Sequence, residues 1–407
     1  MKTNIVPLLS KEVTFNALNK NEYFIHQTVY DHRIKISSEL YNFIKLIDNQ
    51  KELKSIVYEY NLKYKSNLTY EFSYGLLYNK LALYGIIKSD AITIKPNQKP
   101  NYIKLNFIVI SEKTVSRFTK HLHFLFKPLI IKSIVLTALL ILLFCFYNFN
   151  YEIFNANILK SDLLFFFILS FIGVTFHEFG HASAAHHYGA KHGGIGGGFY
   201  LFMPVYFADV TDIWKLPKHQ RIIVNLAGMY FELIYVLFLI SIGLIVKFPL
   251  LIIFGCIILL SSLRNLNPFI RSDGYWVLSH AIEKPNLMLH GFVKIKQIFK
   301  PKSLWTKMDY FLLFYGFISY GFILFFVYFV VIKNPNSILY FPQNIINFFQ
   351  NLFYENAQIS LAELGKLLIP VLFFYLVFGF VKSLTPLLKQ NIKRFVAKMG
   401  LNKSNHK

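Results

Sequence analysis

Residues 163–176 read Leu-Leu-Phe-Phe-Phe-Ile-Leu-Ser-Phe-Ile-Gly-Val-Thr-Phe and pass directly into His177-Glu178-Phe179-Gly180-His181. The run is apolar enough and long enough to enter a bilayer as a helix, so the polar pentapeptide lies at membrane depth. On a helix, His177 and His181 are four residues apart and share one face, where both imidazoles can reach one Zn²⁺. Glu178 is rotated off that pair and suits a general base that takes a proton from water. A polar helix end with snorkelling histidines has the same pattern. Against that plainer reading, Glu and His inside a membrane are costly unless they do chemistry.

The rest of the chain has the composition this run predicts. Of 407 residues, 55% are hydrophobic and 18% aromatic, which points to several membrane spans. Six runs are long enough to cross: residues 129–147, 163–181, 222–246, 250–266, 310–332 and 367–387. The net charge of +22 comes largely from Lys and Arg flanking those runs, which implies topology and contact with anionic lipid. No basic module interleaved with aromatics stands out, so nucleic acid is excluded as a partner. Cys145 and Cys256 both lie in apolar runs and imply neither a disulfide framework nor a thiolate metal site. Residues 1–127 are polar and lysine-rich, with no signal-peptide pattern.

Charge then sets orientation. The N-terminal region and residues 191–221, 271–307 and 389–407 are basic, whereas 148–162, 247–249 and 333–366 carry little positive charge. By the positive-inside rule this is a multi-pass protein of the cell (cytoplasmic) membrane with both termini cytoplasmic, and six spans satisfy that parity. His177 falls about 14 residues into its span, roughly 21 Å along the helix, in the cytoplasmic half. Water must reach it through a polar cavity opening toward the cytoplasm. The aromatic-rich residues 338–353 are expected in the membrane interface.

Residues 1–100 read as a cytosolic, winged-helix-like α+β domain. A hairpin is expected from Tyr23-Phe24-Ile25 and residues 29–36, followed by helices at 38–47, 51–60 and 70–84. Gly85-Ile86-Ile87 stops the last helix before a strand at Ile92-Thr93-Ile94. This order, with its Leu-x-Leu-x-Gly-Ile-Ile ending, resembles the PqqD-like recognition element of ribosomal-peptide biosynthesis; an ordinary winged-helix adaptor fits the same order. The resemblance implies that a leader peptide is bound by adding a strand to the hairpin edge. Residues 101–127 carry a strand (102–110) and a juxtamembrane amphipathic helix. There Val115, Phe118, Leu122 and Leu125 form a stripe beside Lys113, Arg117, Lys120 and Lys127.

Two imidazoles do not hold a catalytic zinc; a third ligand is required. His186, nine residues beyond His177, is about half a turn away in projection, and His187 also points away. His192 and His219 lie further on. The better candidate ends the fourth span, in Asn265-Leu266-Asn267-Pro268-Phe269-Ile270-Arg271-Ser272-Asp273-Gly274. Pro268 should break the helix and allow the Asp273 carboxylate to turn back inward.

His-Glu-x-x-His in one span and Asn-Pro-(x)₄-Asp-Gly at the end of a later one resemble the site-2 protease family of intramembrane zinc metalloproteases. The resemblance covers residues 163–276. It implies Zn²⁺ held by His177, His181 and Asp273, with Glu178 as the catalytic base. Residues 199–221, with Met203-Pro204-Val205-Tyr206 and Asp209-Val210-Thr211-Asp212-Ile213-Trp214, are similar to a branch found near bacterial peptide-export and maturation systems. One departure stands out: where the family often has Gly-x-x-x-Asn, Gly228 is followed by Glu232. Gly193-Gly194-Ile195-Gly196-Gly197-Gly198 cannot form a stable helix, and 199–207 is too short to span, so a re-entrant loop or hairpin is expected there, a flexible linker being the alternative.

The expectation is an α-helical polytopic membrane protein of about six spans. Its parts are a cytosolic domain (1–100), the strand and surface helix (101–127), the zinc metalloprotease domain (128–388) and a basic cytosolic tail (389–407). It would cut a peptide or membrane-protein substrate, in maturation of a small ribosomally made peptide, with the bilayer and a peptide exporter as partners. Two rivals are a non-hydrolytic export or permease component and a membrane receptor with a vestigial zinc site.

Overall fold

The computed structural model of the protein describes residues 5–19, 21–89, 94–98, 103–155, 160–200, 203–269, 271–284, 286–299 and 305–353, with parts of 366–378. Met1–Lys132 and His177–Phe231 make up one compact unit, and Ser133–Phe176 and Glu232–Lys407 a second.

The chain opens with β1 (Leu8–Leu9), β2 (Val13–Asn19), β3 (Glu22–Gln27) and β4 (His32–Ser37). Helices α1 (Ser38–Lys45), α2 (Leu53–Tyr64) and α3 (Tyr70–Tyr78) follow, then a 3-10 turn at Leu81–Tyr84 and β5 (Ile87–Lys88). Strands β2, β3 and β4 form an antiparallel meander, and β1 pairs with β5. The expected hairpin is therefore a three-stranded sheet. In β2, Val13, Phe15 and Ala17 alternate with Thr14 and Asn16, a run of only five residues before Leu18 breaks the period. Ser37 caps α1 by accepting from the Leu40 N–H, and Thr69 caps α3 by accepting from Phe72. Ile25, Ile44, Leu53, Ile56, Leu77 and Ile86 are wholly buried in one core. Ile92 and Thr93 of the expected closing strand lie outside the described residues.

Next come β6 (Ile103–Ile110) and α4 (Glu112–Leu122), the latter capped by Ser111, with a 3-10 turn at His123–Phe126. Val115 on α4 is fully buried whereas Phe118 is exposed. Two long helices follow, α5 (Pro128–Asn155) and α6 (Lys160–His187), and then the hairpin β7 (Ile195–Tyr200) and β8 (Met203–Ala208). The sheet order is β6-β7-β8, all antiparallel. The glycine run thus forms a strand, because β6 crosses it too closely for side chains. A Cβ on Gly194 would meet the Ile110 carbonyl oxygen at 2.6 Å, and one on Gly196 would run into the Phe107 carbonyl.

After a 3-10 turn at Thr211–Lys215 come α7 (Lys218–Ile245), α8 (Pro249–Arg264), α9 (Asp273–Ala281), α10 (Leu287–Lys296), α11 (Lys307–Tyr328), α12 (Pro335–Leu339) and α13 (Phe341–Phe353). In the second unit Cys145, Leu169, Tyr235, Val236, Ile240, Ile252 and Phe254 join in one apolar core, and the Tyr235 hydroxyl donates to the Leu169 carbonyl at 2.8 Å. Helices α10 and α11 touch at Gly291 and Gly316, where backbone meets backbone.

Among the described residues four segments are long and apolar enough to cross a membrane: Pro128–Asn148, Asp162–His187, Lys218–Ile245 and Lys307–Lys333. These match the first, second, third and fifth expected spans. The fourth is α8, only 16 residues, about 24 Å long against a hydrocarbon core of about 30 Å. It stops at Arg264, four residues before Pro268. The sixth expected run, 367–387, lies mostly outside the described residues.

Candidate metal centre

His177, Glu178 and His181 lie mid-helix in α6 and are 7%, 8% and 7% exposed. Their setting follows from a close crossing of α6 and α7. Gly180 has no room for a Cβ, which would strike the Ala227 carbonyl and sit 3.0 Å from the Phe231 Cβ. One residue further along α7, a Cβ on Gly228 would lie 2.6 Å from His177 Nε2 and would also collide with His181 Nε2. Two glycines let the helices approach, and the second leaves a space in front of both imidazoles.

The imidazoles use that space. His181 Nδ1 lies 2.7 Å from the Val224 carbonyl oxygen, which can only accept, so Nδ1 carries the proton and the Nε2 lone pair faces His177. The two Nε2 atoms are 3.1 Å apart. Bonds of about 2.0–2.1 Å to one tetrahedral zinc would place two nitrogens about 3.3–3.4 Å apart. The carbonyl fixes both the ring's tautomer and its direction, as a partner behind a metal-ligating histidine commonly does.

Glu178 is held differently. Its Oε2 accepts from the Ala208 N–H, the last residue of β8, at 2.7 Å. A buried carboxylate bonded to a backbone N–H is fixed in place.

Asp273 is the first residue of α9, following a tight connection. There the Asn267 side chain accepts from the Phe269 N–H at 2.9 Å, the Ser272 hydroxyl donates to the Asn267 carbonyl at 2.9 Å, and the Gly274 N–H donates to the Asn265 carbonyl at 2.8 Å. A Cβ on Gly274 would strike the Leu266 carbonyl. The connection needs proline to end α8 and glycine to re-enter close to it.

One ligand atom from each of His177, His181 and Asp273 lies within 4.8 Å of the others. Two neutral imidazoles and a carboxylate suit a borderline divalent ion such as zinc, and the missing Cβ at Gly228 keeps the ring nitrogens reachable.

The other histidines sit elsewhere. His186 Nδ1 is 2.6 Å from the Thr119 hydroxyl, and the His123 ring lies 5.0 Å from His186 and 5.2 Å from His187. His192 Nε2 is 3.2 Å from the Ser116 hydroxyl, and His219 is exposed. Glu232 is 5% exposed on α7. Asp209 accepts from the Thr211 N–H, and Asp212 accepts from the Lys191 N–H. The contributions missed from the sequence are those of Val224 and Ala208. Both act through backbone groups, which every residue type carries, so no side-chain pattern announces them.

Set against known proteins, the chain matches no family model, no curated protein and no solved structure.

Proposed function

We propose that the chain is a membrane zinc metalloprotease of the site-2 type, hydrolysing a peptide bond in or beside the bilayer. The observation that carries this is the gathering of His177, His181 and Asp273 within 4.8 Å. His177, His181 and Asp273 would hold the ion. A zinc ion held there would supply Lewis acidity toward a carbonyl oxygen and toward water. Glu178, held by the Ala208 N–H, takes the proton of the attacking water as the new C–O bond forms. It then delivers that proton to the amine nitrogen as the C–N bond breaks. His177 and His181 would hold the ion, and Gly228 keeps bulk out of the space they face.

His177, Glu178 and His181 lie in one of the four helices that, among the described residues, are long and apolar enough to span a membrane. In this reading α8 and residues 367–387 complete six spans, with both termini in the cytoplasm. The N-terminal domain is PqqD-like and captures a small ribosomally made peptide by strand addition. Strand β8 is an edge of its sheet and ends at the residue that holds Glu178. A substrate extended along that edge is thereby led to the base.

The test is metal analysis of purified protein together with hydrolysis of candidate peptides encoded beside its gene. One equivalent of zinc is expected, with cleavage lost in Glu178→Gln while the zinc stays. Full-rate cleavage by zinc-loaded Glu178→Gln would sink the proposal.

A further inference from the structure

The N-terminal sheet has one face on its core and another that is covered only in part, with Thr14 exposed and His26 and Arg33 half-buried. Register aligns Thr14, His26 and Arg33 across β2, β3 and β4, and directly opposed residues share a face. Phe24, two residues before His26, shares it too. It is 3% exposed although it lies outside the core built around Ile25, Ile44 and Leu77. Strand β2 lies against the Thr211–Lys215 turn, which begins three residues after β8 ends.

Charge joins the two. The Arg33 side chain is 15% exposed, and its Nη2 pairs with Asp31 at 2.8 Å. Its Nε and Nη1 are buried without a hydrogen-bond partner, which is costly for a guanidinium unless a countercharge stands close. Asp31 supplies one, and Asp212 lies near enough to feel the same charge. The Asp212 carboxylate takes the Lys215 ammonium at 2.6 Å and the Lys191 N–H at 2.8 Å. Burial pushes the Asp212 carboxyl up, yet Lys215, the Lys191 N–H and the charge of Arg33 together hold it below the ordinary range. Asp212 is four residues past Ala208, whose N–H holds Glu178.

We infer that Asp212 is a positioning residue: paired with Arg33, it ties the N-terminal sheet to the end of β8, so that a peptide strand added at the β4 edge sets how Glu178 is presented. The N-terminal domain then acts on turnover as well as on substrate choice. The consequence for turnover rests on the protease reading; the mechanical tie does not.

Two measurements on full-length protein in lipid nanodiscs separate these. The first is backbone hydrogen exchange, which needs no activity. Asp212→Asn, outside the N-terminal domain, is expected to speed exchange about tenfold both in residues 203–208 and in residues 32–37. Arg33→Gln should do the same in 203–208, and the double variant should add nothing further. Lys51→Ala, which breaks an exposed pair with Glu59, should leave both segments unchanged. Should Arg33→Gln loosen the whole N-terminal domain, Asp212→Asn carries the test alone. Exchange that changes only in 211–215, or effects of the two variants that add, overturns the tie. The second measurement is turnover: Asp212→Asn and Arg33→Gln should lower kcat about tenfold, with KM and zinc content unchanged. Unchanged kcat in both variants overturns the positioning role. Coupled exchange in a protein that cuts no peptide leaves the tie standing and removes the protease reading instead.

Discussion

Helix α6 carries two pairs of histidines, and only one of them gathers with a third ligand. His177 and His181 are four residues apart, face the gap at Gly228, and bring their Nε2 atoms to 3.1 Å. His186 and His187 are adjacent in sequence, splay from the axis, and ring His123 at 5.0 and 5.2 Å. The side chains and the helix are the same, so the difference lies in spacing and in what stands opposite. A glycine across the first pair leaves a volume that an ion can fill; an aromatic ring and a hydroxyl already fill the space by the second. A candidate metal site is thus defined as much by the residue missing from the facing helix as by the side chains that could hold the ion.

The contrast can be broken or sharpened by substitution. The largest effect is expected from Glu178→Gln, which keeps His177, His181 and Asp273 and removes the proposed base: under the proposed function hydrolysis should fall by about 10²–10⁴-fold with zinc content unchanged in elemental analysis. Asp273→Ala removes a proposed ligand and should weaken zinc binding by more than about 10²-fold, read by competition with a chromogenic chelator. Gly228→Ala tests the contrast most directly. A methyl group in front of both Nε2 atoms should cost zinc affinity about 10–100-fold with the helical circular dichroism unchanged. Full zinc affinity in Gly228→Ala would refute the view that the facing glycine makes the site. The smallest effect belongs to His186→Ala and His187→Ala, which should leave zinc stoichiometry as it is. Loss of zinc from either would mean that the second pair takes part in the centre.

What the sequence made legible depended on where each piece of information resides. The helical site was legible because side-chain spacing on a helix is geometry: His177, Glu178 and His181 need only a period of 3.6 residues to be placed. Pro268 and Gly274 likewise announced the end of α8 and its close re-entry. The N-terminal core was legible through periodicity, except for β2, where the alternation of Val13, Phe15 and Ala17 is short and Leu18 breaks its period. The glycine-rich stretch told only that no helix could form. Its pairing with β6, ninety residues earlier in the chain, depends on backbone packing that glycine permits and does not specify. The carbonyl of Val224 and the N–H of Ala208 left no trace, since peptide groups are common to all residues. Length was also misleading for α8: the apolar run extends to Leu266, but backbone turning toward Asn267-Pro268 ends the helix at Arg264.

The Ala208–Glu178 hydrogen bond has a consequence for how this protein tolerates drift. A base anchored by another side chain can lose its anchor through many single substitutions. Here the donor is a peptide N–H, present whatever residue occupies position 208, provided it is not proline. The identity of residue 208 is therefore nearly unconstrained by its hydrogen bond, whereas the path of β8 that delivers the donor is constrained tightly. Selection on the anchor of Glu178 must act on the strand's pairing and on the glycines that admit it, at positions far from the base in sequence. Variation at 208 that spares only proline, beside rigid retention of Gly196, is the signature such an anchor should leave among descendants of this chain.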